Sequence, residues 1–91
     1  MLVNFQTAEI MAIQALAYIA GREKALSYFL DQTGIAPQEL KTRAGEPEVL
    51  AGVLDFLLRN EEILLDFCQE TGTDPETVFP ARHHFPGASE M

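Results

Sequence analysis

The sequence contains the pattern Thr-Gly-x-x-Pro twice, from Thr33 to Pro37 and from Thr71 to Pro75. Glycine ends a helix at low cost in the left-handed conformation, and proline is favoured at the first position of a helix. Each copy therefore predicts one helix that ends and another that begins. A glycine before a helix N-terminus can also bind an anion, but neither copy has the lysine of a phosphate loop. We interpret six residues as structural turn positions: Thr33, Gly34, Pro37, Thr71, Gly72 and Pro75.

The repetition extends far beyond this pattern, at the offset of 38 residues that separates Gly34 from Gly72. The side chain keeps its character in the pairs Leu16/Leu54, Tyr18/Phe56, Glu23/Glu61, Leu26/Leu64, Phe29/Phe67, Thr33/Thr71, Pro37/Pro75 and Leu40/Val78. We predict two similar units, residues 8–45 and 47–80, each a helix, a helix, a turn and a short helix. Two units are too few for an open solenoid. The sequence predicts a compact all-α bundle of about five to six helices, closed with approximate twofold pseudo-symmetry.

Periodicity and capping residues predict helices over residues 8–20, 23–33, 37–44, 47–59 and 61–71, and a short one from Pro75. Thr7, Asn60 and Asp74 are the expected N-caps. The first helix has almost no polar face, which predicts a central helix covered on most sides. From Pro80 the chain has little periodicity, so we expect residues 81–91 to form an irregular, mobile tail.

A chain of 91 residues, 47% of them hydrophobic, predicts a single packed domain over residues 1–80. Cys68 is the single cysteine, which excludes an internal disulfide and favours a reducing cytoplasm. The apolar stretch before Gly21 follows no basic segment and is interrupted by Glu9 and Gln14, so we interpret it neither as a signal peptide nor as a membrane span.

The net charge of −8 is concentrated in the second half of the chain. Residues 46–76 contain nine acidic residues and one basic residue, Arg59, whereas residues 1–45 are neutral overall. The acidic half would repel phosphate backbones and anionic lipid surfaces. We therefore expect no membrane partner and no strong nucleic-acid partner, whereas a basic or polar protein partner is compatible with this charge.

Residues 26–45 have the skeleton of a helix-turn-helix motif, with a glycine in the turn and apolar Ile35 and Leu40 after it. The second helix would present Gln38, Lys41, Thr42 and Arg43 to base edges or phosphates. Glu39 in the same helix argues against nucleic-acid binding, because its carboxylate would repel phosphates. A nucleic-acid-binding regulator is the alternative hypothesis.

Three carboxylates, Glu62, Asp66 and Glu70, are spaced along one face of the fifth helix. Aligned carboxylates can hold a divalent cation, so a metal or small-ligand site is a third hypothesis, although a solvated face explains the spacing as well. His83 and His84 form no tetrahedral set with Cys68, whose position matches core residue Leu30. No catalytic arrangement is recognisable, so we expect neither enzymatic activity nor a cofactor.

Several stretches resemble a small family of unknown function found mainly in alphaproteobacteria. The resemblance is carried by residues 15–20, 29–40, 53–58 and 61–67, together with Arg43 and Pro47, and "VLDFLL" after "TGIAPQEL" is its most specific combination. It implies a small helical bacterial protein of the cytoplasm and assigns no active site.

The leading hypothesis from the sequence is a non-catalytic protein–protein interaction module, either a homodimer or a subunit or adaptor of a larger assembly. Large apolar residues outside the predicted helices exceed what so small a core needs, which indicates a partner surface. We expect that surface to include Glu62, Asp66, Glu70, Phe79 and Phe85.

Overall fold

In residues 3–87, which the computed structural model describes, every regular secondary-structure element is a helix. The elements are α1 Phe5–Ala20, α2 Glu23–Thr33, α3 Pro37–Arg43, α4 Pro47–Arg59, α5 Glu61–Thr71, a 3₁₀ turn Pro75–Thr77, and α6 Val78–Arg82. The all-α prediction is confirmed for this part of the chain. The Cα radius of gyration of 12.0 Å is that of a compact chain of this length.

The ends of α2 and α5 follow the local sequence closely. Gly34 and Gly72 both have φ of 73°, and each donates its N–H to a carbonyl in the last turn of its helix. The hydroxyls of Thr33 and Thr71 donate to the carbonyl oxygens of Phe29 and Phe67, at 2.7 and 2.9 Å. Both Thr-Gly pairs therefore serve to end a helix, as the sequence predicts.

One of the predicted N-caps was wrong. Helix α1 begins at Phe5 because Asn4 Oδ1 accepts a hydrogen bond from the backbone N–H of Thr7, so Thr7 lies inside the first turn. Asn60 occupies the N-cap position of α5, as predicted, but its side chain makes no capping hydrogen bond to that helix; its Nδ2 donates back to the Phe56 carbonyl at 2.7 Å and closes the end of α4. Asp74 does cap the 3₁₀ turn, accepting from the N–H of Glu76.

Helix α4, and not α1, occupies the centre of the bundle. It packs against α1, α2, α5 and α6, and seven of its 13 residues are buried. The sequence predicts that α1 is the central helix; it packs on α2, α4 and α6 instead, and one of its sides stays open. Ile10 and Ile13 of α1 are each about half exposed.

Two aromatic pairs cross the core. Phe56 of α4 packs edge-on against Phe29 of α2, with ring centroids 5.4 Å apart. Tyr18 of α1 packs edge-on against Phe67 of α5, at 5.6 Å. Edge-to-face pairs add about 0.5–1.5 kcal/mol to the burial of their area.

Part of the segment after Pro80 packs against the rest of the protein. Helix α6 continues to Arg82, and Phe85 is only 4% exposed, with its ring 5.8 Å from that of Phe5. A His84 ring nitrogen lies 2.5 Å from the carbonyl oxygen of Val3. Residues 81–82 are therefore helical rather than irregular, whereas residues 83–87 form turns without regular secondary structure, as expected, and contact the start of the chain through His84 and Phe85. Residues 88–91 of the expected tail lie outside the described residues.

In the described part of the chain, no helix combines the length and the apolar character needed to cross a bilayer.

Candidate functional site

The predicted acidic stripe forms part of a mixed-charge cluster between α5 and the α1–α2 connection. Arg22 Nε lies 3.6 Å from Asp66 Oδ2, and the Arg22 guanidinium also pairs with Glu70. The Tyr18 hydroxyl donates to Asp66 Oδ2 at 2.5 Å, while the Arg22 guanidinium lies 4.4 Å from the centroid of the Tyr18 ring. We call Tyr18, Arg22, Asp66 and Glu70 the Arg22 cluster.

The Arg22 cluster makes the acidic face less negative than the sequence suggested. The paired side chains of Arg22, Asp66 and Glu70 are between 38 and 51% exposed, so each ion pair contributes about 0.2–1 kcal/mol. Glu62 lies outside the cluster and lines a shallow depression with Lys24 and Tyr28. Only part of the stripe is therefore open to a basic partner.

A metal site on this stripe finds no support in its geometry. In residues 3–87, no group of three or more His, Cys, Asp or Glu side chains is arranged to hold a metal ion. Asp66 and Glu70 face Arg22, and the three carboxylates do not converge. Sequence reasoning missed Arg22 because 44 residues separate it from Asp66, and no linear spacing connects them.

The four residues of the proposed recognition helix do not form a basic surface. Arg43 Nε bonds Glu46 Oε1 at 2.8 Å, and its Nη atoms lie 3.6 Å from Glu39 and 3.7 Å from Glu48. The hydrogen bond with Glu46 raises the pKa of Arg43 further. A phosphate approaching Arg43 would meet three carboxylates, which disfavours the nucleic-acid hypothesis.

The remaining residues of that helix have different environments. Gln38, Lys41 and Thr42 are exposed. The Thr42 hydroxyl donates to the carbonyls of Gln38 and Glu39, so it is held within α3. Lys41 lines an apolar groove between α1, α2 and α3.

The two phenylalanines predicted for a partner surface differ in exposure. Phe79 is 59% exposed, with its ring 4.8 Å from that of His83. Phe85 is buried and cannot contribute to an exposed surface, which corrects the prediction for that residue. The Phe85 ring packs against the Phe5 ring. Apolar residues near the two ends of the chain therefore bury part of their surface against each other rather than against a partner.

Cys68 lies in the core at the position that its match to Leu30 predicts. It is 4% exposed, and burial, with a smaller contribution from Asp74, raises the pKa of its thiol. A buried thiol with a raised pKa is a poor nucleophile.

One side of α1 is an exposed surface without charge. Its four central residues, Ile10, Ile13, Gln14 and Ala17, are all exposed, and we call them the α1 face. The single charged residue of α1, Glu9, is only partly exposed. Ile10 and Ile13, at 51 and 50% exposure, are spaced three residues apart and therefore neighbour each other on the helix surface.

An apolar groove runs beside the α1 face, between α1, α2 and α3. Its cavity volume is about 340 Å³, and its lining includes Leu16, Ala20, Leu26, Leu30, Leu40 and Lys41. Among the described residues, Lys41 is the one charged side chain that lines it. We call this cavity the α1–α3 groove.

These features define a small all-α protein with an uncharged helix face and an apolar groove. The family model described as "Protein of unknown function (DUF3572)" matches residues 5–88, and the chain belongs to that family. The same comparisons found no match among curated proteins or solved structures.

Proposed function

We propose that the chain is a non-catalytic protein–protein interaction module of the bacterial cytoplasm that binds through the α1 face. Its partner is a second copy, which makes a homodimer, or a different protein, for which it acts as a subunit or adaptor. The exposed Ile10 and Ile13 on a helix side without charge are the observation that carries this proposal. Exposed apolar patches of this kind are typical of protein contact surfaces.

The charge distribution supports contact at the α1 face. Two copies with a net charge of −8 each repel one another, and the repulsion is smallest where the contacting surfaces carry no charge. The acidic residues lie mainly in α4, α5 and their connections, whereas the α1 face contains none. A twofold contact would place the same face of each copy against the other.

Light scattering behind size exclusion tests this proposal with a matched pair of variants. Ile13→Glu places a charge in the α1 face, whereas Leu65→Glu makes the same change on α5 at almost equal exposure, 48% against 50%. We expect the unaltered chain and Leu65→Glu to be dimers at high micromolar concentration and Ile13→Glu to be a monomer.

The adaptor form of the proposal has its own readout. Here the unaltered chain is a monomer, and a tagged copy isolates a partner from its native cell that Ile13→Glu loses and Leu65→Glu keeps. If the unaltered chain is monomeric and the same proteins accompany all three chains, the α1 face is not the contact surface.

We also propose that the two halves of the chain are versions of one structural unit. The pairs Tyr18–Phe67 and Phe56–Phe29 support this, because Phe56 and Phe67 lie 38 residues after Tyr18 and Phe29. Replacing "TGTDP" (residues 71–75) with "TGIAP" tests it. We expect a folded chain that loses the Asp74 cap, about 1 kcal/mol, and the exposed hydrogen bond between the Thr71 and Thr73 hydroxyls. A chain that does not fold would contradict the equivalence of the two turns.

A further inference from the structure

The α1–α3 groove has the size and lining of a site for one small apolar molecule. Its volume of about 340 Å³ lies at the lower end of the roughly 300–1,000 Å³ typical of ligand pockets. Leu16 of α1, Leu26 and Leu30 of α2, and Leu40 of α3 contribute its walls, and the first three are only partly buried without a ligand. An apolar tail placed there would remove leucine surface from water.

Lys41 gives the rim of the groove a charge that the chain itself does not neutralise. Its neighbours one turn away are Pro37 and Gln38 on α3 and Ala44 directly after it, none of which is charged. Among the described residues, no carboxylate lies within 4.0 Å of the Lys41 ammonium. Arg43, two residues further, is instead held by three glutamates.

We propose that the α1–α3 groove binds a small monocarboxylate with an apolar tail of medium length, the tail against the leucines and the carboxylate on Lys41. A single ammonium matches a single negative charge. A phosphate dianion would carry more charge than Lys41 compensates. The cavity volume excludes a long tail from full burial.

This site is separate from the α1 face, so the two proposals can fail independently. The groove is formed by Leu16 and Ala20 on the α1 side, whereas the interaction proposal depends on Ile10 and Ile13. Because Ile13 neighbours Leu16 on α1, Ile10→Glu is the variant that separates the two sites, and we expect it to bind the carboxylate as well as the unaltered chain does.

Titration of the full chain with sodium octanoate, followed through backbone amide shifts in two-dimensional NMR, tests the proposal. We expect saturable shifts confined to the parts of α1, α2 and α3 that line the groove, with a dissociation constant on the order of 0.1–1 mM. Octylamine and 1-octanol, which have the same tail length, should bind more weakly, because the first is repelled by Lys41 and the second is neutral.

Two lysine variants isolate the head-group contact. Lys41→Gln should raise the dissociation constant for octanoate about three- to ten-fold and remove the preference for octanoate over 1-octanol. Lys24→Gln is the matched control, because Lys24 is also exposed but lines a different depression. It should leave both values unchanged.

A third variant and a lipid surface complete the test. Ala20→Phe at this exposed position fills the groove and should abolish binding while the chain stays folded by circular dichroism. Vesicles of phosphatidylglycerol should not bind a chain of net charge −8. The proposal is overturned by an absence of saturable shifts, by equal affinity for octanoate and 1-octanol, or by binding to the vesicles but not to free octanoate.

Discussion

Arg82 Nε donates to Asp55 Oδ1 at 2.7 Å, and Arg82 Nη2 donates to Oδ2 of the same carboxylate at 3.2 Å. The Arg82 side chain is 9% exposed, and its Nη1 also donates to the carbonyl oxygen of Phe85 at 3.1 Å. This bidentate salt bridge attaches α6 and the segment after it to the central helix α4. Such a fork-shaped pair is stronger and more specific in geometry than a single contact.

Removing Arg82 should therefore weaken the whole fold. We expect Arg82→Ala to lower the free energy of unfolding by roughly 2–4 kcal/mol, because it leaves Asp55 unpaired in a partly buried position. Arg59→Ala, at an exposed position of the same central helix, should change it by less than about 0.5 kcal/mol. Chemical denaturation monitored by circular dichroism measures both, and equal effects of the two substitutions would contradict the assigned role.

Glycine substitutions should have opposite effects at two positions. Gly72 has φ of 73°, so Gly72→Ala should destabilise the chain by about 1–2 kcal/mol. Gly52 lies inside α4, where an added Cβ meets no atom within 4 Å, so Gly52→Ala should stabilise by about 0.5–1 kcal/mol. Thermal melts of the two variants should move in opposite directions, and a shift in the same direction would show that one backbone assignment is wrong.

The Tyr18 phenol should ionise at higher pH than an ordinary tyrosine. Burial and the hydrogen bond to Asp66 raise its pKa above 10.0. Because the folded state favours the neutral phenol, this stabilisation is complete below pH 10 and is lost as the pH rises through the raised pKa. A Tyr28→Phe background leaves Tyr18 as the only tyrosine, so ultraviolet absorbance against pH reports it alone.

Asp66→Asn in the same background isolates one cause of this shift. It removes the carboxylate that accepts the Tyr18 hydrogen bond, so the pKa of Tyr18 should move down toward its ordinary value. Glu62→Gln, one turn earlier on α5 and not bonded to Tyr18, is the control and should leave the titration in place. An unchanged titration in Asp66→Asn would exclude the hydrogen bond as a cause.

Cys68 should react with thiol reagents only when the chain opens. Its burial and raised pKa predict that a disulfide reagent modifies native protein at least about a hundred-fold more slowly than protein in concentrated urea. The control is the rate at intermediate urea concentrations, which should follow the fraction unfolded measured by circular dichroism. Fast modification without denaturant would mean that this part of the core opens locally.

The local sequence predicted where most helices begin and end. The predicted bounds of α2, 23–33, and of α5, 61–71, are those of the structure. Gly34 and Gly72 determine the ends of these helices through their own backbone conformation, and Asp74 starts the next turn with its own side chain. Such effects act within a few residues, so they can be inferred without knowing the fold.

The candidate sites depended on contacts that no spacing in the sequence reveals. Arg22 meets Asp66, and Arg82 meets Asp55, across 44 and 27 residues. The α1–α3 groove likewise exists only because three helices pack together, with Lys41 at its rim. Pairings of this kind follow from how the helices pack, since a charged residue on a helix surface has many possible partners until its neighbours are fixed.

By itself, the sequence determined that the chain is all-α, where most of its helices begin and end, and that its second half is acidic. Only the tertiary structure decided that α4 is central, that Phe85 is buried and that Ile10 and Ile13 are left exposed. The physical reason lies in α1, which is apolar on almost every side. A helix without a clear amphipathic direction can bury any of its faces, and packing against α2, α4 and α6 selected which one stays open.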